Sequence, residues 1–290
     1  MKTASSRAAW IAEIVREFWR DSPANTLGNG AGEKAWDCPE LGFARGDDPL
    51  FSRFKAEIGP FFWTPVEAHR QAFPDLDLPA SRLTVISWCL PQTEATRAEQ
   101  RRERLYPAER WARSRDRGEA FNCALRRHLA AALSAAGFPA TAPERSPLFA
   151  YRRSEKFGIA ANWSERHVAF AAGLGTFGLS DGLITRRGKA VRFGSVVAAI
   201  GLEPTPRAYT GYRDWCLWFA HGTCRACEKR CPAGAIDASG HDKDRCRDYI
   251  RDVTAPYARE HYGAEATPCG LCQVRIPCEE RIPAVVTGER

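Results

Sequence analysis

Eight cysteines crowd residues 216–290 of this 290-residue chain: Cys216, Cys224, Cys227, Cys231, Cys246, Cys269, Cys272 and Cys278. Thiolates are soft ligands suited to zinc and iron, so such density predicts metal binding. A disulfide framework does not suit a cytoplasmic chain, whose thiols stay reduced. The N-terminus reads as cytoplasmic. The apolar stretch in MKTASSRAAWIAEIVREFW is broken by Glu13 and lacks a small-residue cleavage site. No run of about 18 apolar residues occurs, so no membrane span is expected. The other three cysteines, Cys38, Cys89 and Cys123, have no spacing partners and read as small buried hydrophobes.

Spacing narrows the chemistry. Cys224-Arg-Ala-Cys227-Glu-Lys-Arg-Cys231-Pro232 is a C-x2-C-x3-C-P string. Bacterial two-cluster ferredoxins use C-x2-C-x2-C-x3-C-P, in which the fourth cysteine serves the other cluster. Here the first position of that pattern is His221, and Cys216 is the nearest thiol that can replace it. Pro232 predicts a helix start that carries Cys231 away from the first site. Cys216, Cys224, Cys227 and Cys278 are therefore expected on one [4Fe–4S] cluster. Cys231, Cys246, Cys269 and Cys272 are expected on a second, which leaves no cysteine of the group over. Two readings compete with this one. His221 can ligate in place of Cys216. One structural zinc can sit between two C-x2-C pairs, although 41 residues then separate Cys227 from Cys269 and four cysteines go unused.

These ligands need a scaffold, and 44% hydrophobic with 27% charged residues is ordinary for a globular one. Helical periodicity covers 6–19, 94–136 and 163–172. Residues 22–82 read as an irregular segment pinned by its aromatics. LTVISWCL (83–90) is a continuous apolar, β-rich run and predicts a buried central strand. Residues 182–202 read as strand, turn at Arg187-Gly188, strand. Prolines near 203–210 mark a boundary. The formal charge is +7, and 35 of the 42 basic residues are arginine. Eight thiolates on two [4Fe–4S] cores would bring the charge to about +3, so the basic balance is a weak nucleic-acid signal. Ten arginines from Arg97 to Arg127 read as a solvated helix laced with ion pairs, the alternative being a phosphate-contacting face. Gly173-Leu-Gly175-Thr-Phe-Gly178 fits G-x-G-x-x-G, but a helix precedes it and a strand follows, which is the wrong context for a dinucleotide fingerprint.

SERHVAFAAGLGTFGLSDGLIT (164–185), followed by GKAVRFGSVV, resembles the ERA-x-A-x-x-AGLG-x-x-G-K-x-x-L-L-I segment of epoxyqueuosine reductases, relatives of the reductive dehalogenases. The resemblance covers roughly residues 80–280. It implies an α+β chain: a nitroreductase-like α/β sandwich over 1–205, then a ferredoxin-like domain with two [4Fe–4S] clusters over 206–290. It further implies cobalamin near Gly173, Gly175 and Gly178, where small residues let the backbone approach a flat ligand. The implied partners are a ferredoxin- or flavodoxin-type electron donor and tRNA, and the implied reaction is reductive. The family carries an acidic residue shortly before its Glu-Arg pair, where this chain has Ile159, Ala160 and Ala161. No catalytic residue is thereby assigned. His167 and Asp181 flank the glycine loop as candidate proton donors. The alternative is an electron-transfer partner protein without its own corrinoid.

Overall fold

The computed structural model describes residues 4–284. Helix α1 (Ala4–Asp21) is followed by strand β1 (Glu40–Arg45) and helices α2 (Pro49–Ile58) and α3 (Pro65–Ala72). Residues 22–82 are thus not irregular throughout. The signals were local: Asp48 caps α2 through Leu50 N, and Thr64 with Glu67 forms a capping box on α3, each with proline in the first turn.

β2 (Thr84–Pro91) is fully buried and pairs with β1 on one side. On the other side it pairs antiparallel with β8 (Val191–Ala198), Thr84 opposite Ala198 and Pro91 opposite Val191. The short β3 (Ala140–Thr141) completes the sheet in the order β1-β2-β8-β3. A strand with no polar face must be covered on both sides, and this one is. Ile86, Trp88 and Leu90 pack with Ile11 and Val15 of α1 and with Phe121, Leu125 and Leu129 of α5 (Glu109–Ala135). Val85 and Cys89 point the other way, towards Val168 and Phe170 of α6 (Glu165–Ala171) and Phe51 and Phe54 of α2. The result is a helix–sheet–helix sandwich.

The single helix expected over 94–136 is two. α4 (Glu94–Arg102) ends before Pro107, which has no N–H and disfavours helical backbone at Tyr106. Buried Gln100 closes the gap: its side chain accepts from Ala108 N at 2.7 Å and donates to the Cys269 carbonyl at 2.8 Å. Five of the ten arginines in this stretch are committed to carboxylates of this chain. Arg97 and Arg101 bind Glu279 and Glu280, Arg110 binds Glu33 and Glu99, Arg113 binds Glu109, and Arg126 binds Glu119, Glu144 and Glu165.

Two further antiparallel pairs are formed by β4 (Tyr151–Ser154) with β5 (Gly158–Ala161), and by the buried β6 (Gly175–Phe177) with β7 (Leu183–Thr185). β7 therefore pairs back to the glycine loop, and the chain turns at Thr185–Gly188 before entering β8. Beyond residue 205 the elements are short. α7 (Leu217–His221) and α8 (Ala226–Lys229) precede a two-stranded ribbon of β9 (Ile236–Asp237) and β10 (Gly240–His241). α9 (Lys243–Tyr249) and α10 (Ala255–Tyr262) follow. Trp215, Cys216, Cys227, Ile236 and Ile276 lie in the same apolar cluster as Phe170 and Ile184, so the cysteine-rich tail packs directly on the sandwich. No described helix is long and apolar enough to cross a membrane.

Candidate metal centres

Cys216, Cys224, Cys227 and Cys278 line one cavity, with Gly178, Ile184 and Lys189 on its sandwich side. Cys216 precedes α7, and its neighbour Trp215 donates its backbone N–H to Thr176 Oγ1 at 3.0 Å, which ties the loop to β6. Cys227 lies within α8 and is 8% exposed. Cys278 arrives from the far end of the chain. Lys189 N donates to its carbonyl at 2.8 Å, just after Gly188 adopts φ +75°. A Cβ on Gly188 would lie 2.2 Å from the Glu279 carbonyl oxygen, so only glycine admits this approach.

Cys231, Cys246, Cys269 and Cys272 line a second cavity, with His241, Tyr249 and Ile236. Cys231 is carried by the turn after α8 rather than by a new helix, and its sulfur accepts from Ala235 N at 3.4 Å. Cys246 sits in α9, which Asp242 caps by accepting from Arg245 N. The Gln100 bond to Cys269 fixes the third ligand position. The buried Ser180 hydroxyl faces Cys272. In the loop 178–182, Gly178 and Leu179 line the first cavity, while Ser180 lies near Cys272 and Asp181 meets His241.

The donor set decides what such cavities can hold. Burial, reinforced by neighbouring thiols, pushes Cys246 and Cys269 up to about 12 and Cys278 up to about 11. Crowded thiols of this kind ionise together only against a cation. Among the described residues, no three of these sulfurs lie within 4.8 Å of one another. A single tetrahedral zinc with bonds of about 2.3 Å would draw its sulfurs to about 3.8 Å. His221 is exposed and lines neither cavity. Cys89 is fully buried in the sandwich core, and Cys123 lies on α5 beside Arg126 and Arg145.

The glycine loop has its own explanation. A Cβ on Gly175 would meet the Ile184 carbonyl oxygen at 2.2 Å, and one on Gly173 (φ +80°) would meet Thr205 and Pro206 at 3.1–3.3 Å. The close approach expected of a flat ligand is thus made by the chain itself at these two positions. Gly178 instead borders the first cysteine cavity. His167 is packed against Phe54, Phe62 and Phe177, with Nδ1 2.8 Å from Ser164 Oγ. Burial, with the charges of Arg166 and Lys243, lowers it to about 3, so it is neutral at pH 7 and carries no proton to donate as an imidazolium. Asp181 is held in the left-handed region at φ 55°, with Oδ2 3.4 Å from His241 Nδ1. Burial opposes its charge, but His241, Arg166 and Lys243 prevail and keep the carboxylate below the usual range. Neither residue is poised as a general acid.

The His167 shift has a consequence for stability. The unfolded chain takes up this proton near pH 6.5, whereas the folded chain resists it down to about 3. Stability from this group is complete above pH 6.5 and is lost as pH falls towards 3. Between pH 7 and pH 5 the expected loss is about 2 kcal/mol. Urea unfolding midpoints at the two pH values should show it, and His167→Gln should flatten that difference. An equal acid loss in the variant would contradict the assignment.

Sequence spacing pointed to the cysteines but not to Lys189, Ser180 or His241. Their signal was faint: Lys189 is one of only seven lysines in the chain. No protein-family model and no curated protein matches this sequence. Solved structures do. Selenomethionine-labelled epoxyqueuosine reductase aligns with a TM-score of 0.50 at 15% identity, covering 98% of this chain and 71% of that one. The catabolic reductive dehalogenase NpRdhA, in complex with 3-bromo-4-hydroxybenzoic acid, aligns with a TM-score of 0.52 at 14% identity, covering 96% of this chain and 38% of its own. A reductive dehalogenase structure described for B12-dependent dehalogenation aligns with a TM-score of 0.51 at 15% identity, covering 98% and 38%. The chain shares the fold of these reductases and spans a little over a third of the dehalogenases' length.

Proposed function

We propose that this chain is an iron–sulfur oxidoreductase in which each set of four cysteines holds a [4Fe–4S] cluster and the α/β sandwich receives the electrons. The supporting observation is the partition of the eight thiols, four around each of two cavities. A four-iron cluster supplies one-electron transfer at a potential set by its surroundings. The chain's own part is positional. Gln100 and the Lys189 backbone anchor the tail that carries Cys269 and Cys278. The buried Ser180 side chain lies beside Cys272, and the walls of both pockets are mostly apolar.

The acceptor divides the reading in two. Kinship in fold with a B12-dependent dehalogenase suggests cobalamin. Gly173 and Gly175 do not fit that role, because the chain's own backbone fills their approaches. This observation favours the second reading, in which the chain passes electrons to a partner and binds no corrinoid itself. Anaerobic reconstitution followed by titration with hydroxocobalamin tests both. About eight irons and eight sulfides per chain are expected. Co-elution of one corrinoid selects the first reading, and full cluster content without corrinoid selects the second. One zinc without sulfide would overturn the proposal.

A further inference from the structure

Lys189 is only 3% exposed, yet no carboxylate of the described residues forms an ion pair with it. A buried ammonium without an anionic partner is costly, and most such groups are paired. The cysteines surround this one. It lines the first cavity beside Cys216, Cys227 and Cys278, and its backbone N–H bonds the Cys278 carbonyl. Its aliphatic stem lies over Gly182, where a Cβ would come within 2.6 Å of the lysine Cε, so the side chain is confined.

We infer that Lys189 is a fixed positive charge at the first metal centre and a determinant of that centre's reduction potential. The inference rests on the cluster reading above and deepens it. Each reduction adds one negative charge to a centre and moves no proton. A confined cation in a low-dielectric wall favours the reduced state of any centre within its field. Because the ammonium lines the first cavity and not the second, its removal should lower the potential of the first centre more than that of the second.

The test is a potentiometric titration with EPR detection on the anaerobically reconstituted full chain. Lys189→Met is expected to disfavour reduction of the first cluster about tenfold, ~59 mV for a one-electron couple. Lys189→Arg keeps the charge and should hold that potential near the unmodified value. An unchanged first-cluster potential in a fully loaded Lys189→Met chain overturns the inference alone. So does an equal drop at both clusters, or an equal drop in both variants. If Lys189→Met fails to retain iron while Lys189→Arg retains it, the charge is what the assembled anionic centres require, and the inference stands. If neither retains iron, the side chain's shape is what matters, and the inference falls. An iron-free unmodified chain would overturn the proposed function and this inference with it.

Discussion

Cys227→Ser is expected to halve the metal content, from about eight irons and eight sulfides per chain to about four of each. One of two EPR signals should vanish and the other persist. The expectation follows from separation: Cys227 lines only the first cavity, and none of its three companions there lines the second. Cys123→Ser is the control. Cys123 sits on α5, away from both cavities, with its sulfur near Arg126 and Arg145. That substitution should leave both signals intact. Loss of all iron from Cys227→Ser would mean that the two sites assemble as one unit. Equal effects of the two substitutions would refute the ligand sets. Because metal binding is also folding free energy, the serine variant should unfold at lower temperature than the control. Cys216 and Cys227 belong to the main apolar cluster, so the first site is the one whose loss should reach the sandwich.

Arg126→Met is expected to cost about 3–5 kcal/mol, read as a fall in the urea midpoint at pH 7. Arg126 is 2% exposed. Its guanidinium lies 3.0 Å from Glu119, 3.3 Å from Glu144 and 3.2 Å from Glu165, and it donates to the Phe193 carbonyl at 3.1 Å. Burial alone would raise Glu119, but Arg192 and Arg126 bring it down to about 2. For Glu165 burial dominates, and its carboxyl is raised. Removing the cation leaves three partly buried carboxylates facing one another. Their repulsion is relieved by protonation, so the deficit of the variant should shrink as pH falls through the carboxylate range. In the unmodified chain the Glu119 contribution runs the opposite way: present above about pH 4.3, it is lost as pH falls towards 2. A deficit of the same size at pH 7 and pH 4 would point to packing rather than charge. The cluster also matters for the site. Glu165 opens α6, which leads into the loop whose Gly178 borders the first cavity.

Much of this molecule was legible in residue order. The apolar run at 83–90 had to be an interior strand, since no polar face was available to turn to water. The amphipathic stretch at 6–19 had to be a helix on a core, and α1 covers one face of the sheet. The segment 164–185 carried the resemblance to the reductases whose fold the chain shares. Breaks were harder to read. α4 and α5 are separated by one proline and one glutamine side chain, and α2 and α3 were hidden among prolines, glycines and aspartates whose capping roles are local.

Spacing along the chain brings Cys224 near Cys227, because three residues cannot stray far. It says nothing of what stands behind them. The meeting of Lys189 with Cys278, of Ser180 with Cys272 and of Gln100 with Cys269 joins residues 89, 92 and 169 positions apart. Such contacts depend on how the tail packs against the sandwich, and that packing is a property of the whole core. Residue order determined the kind of chemistry, through the number and type of soft ligands. Only the tertiary structure decided the electrostatic setting, because burial and the proximity of distant charges exist only once the chain has folded.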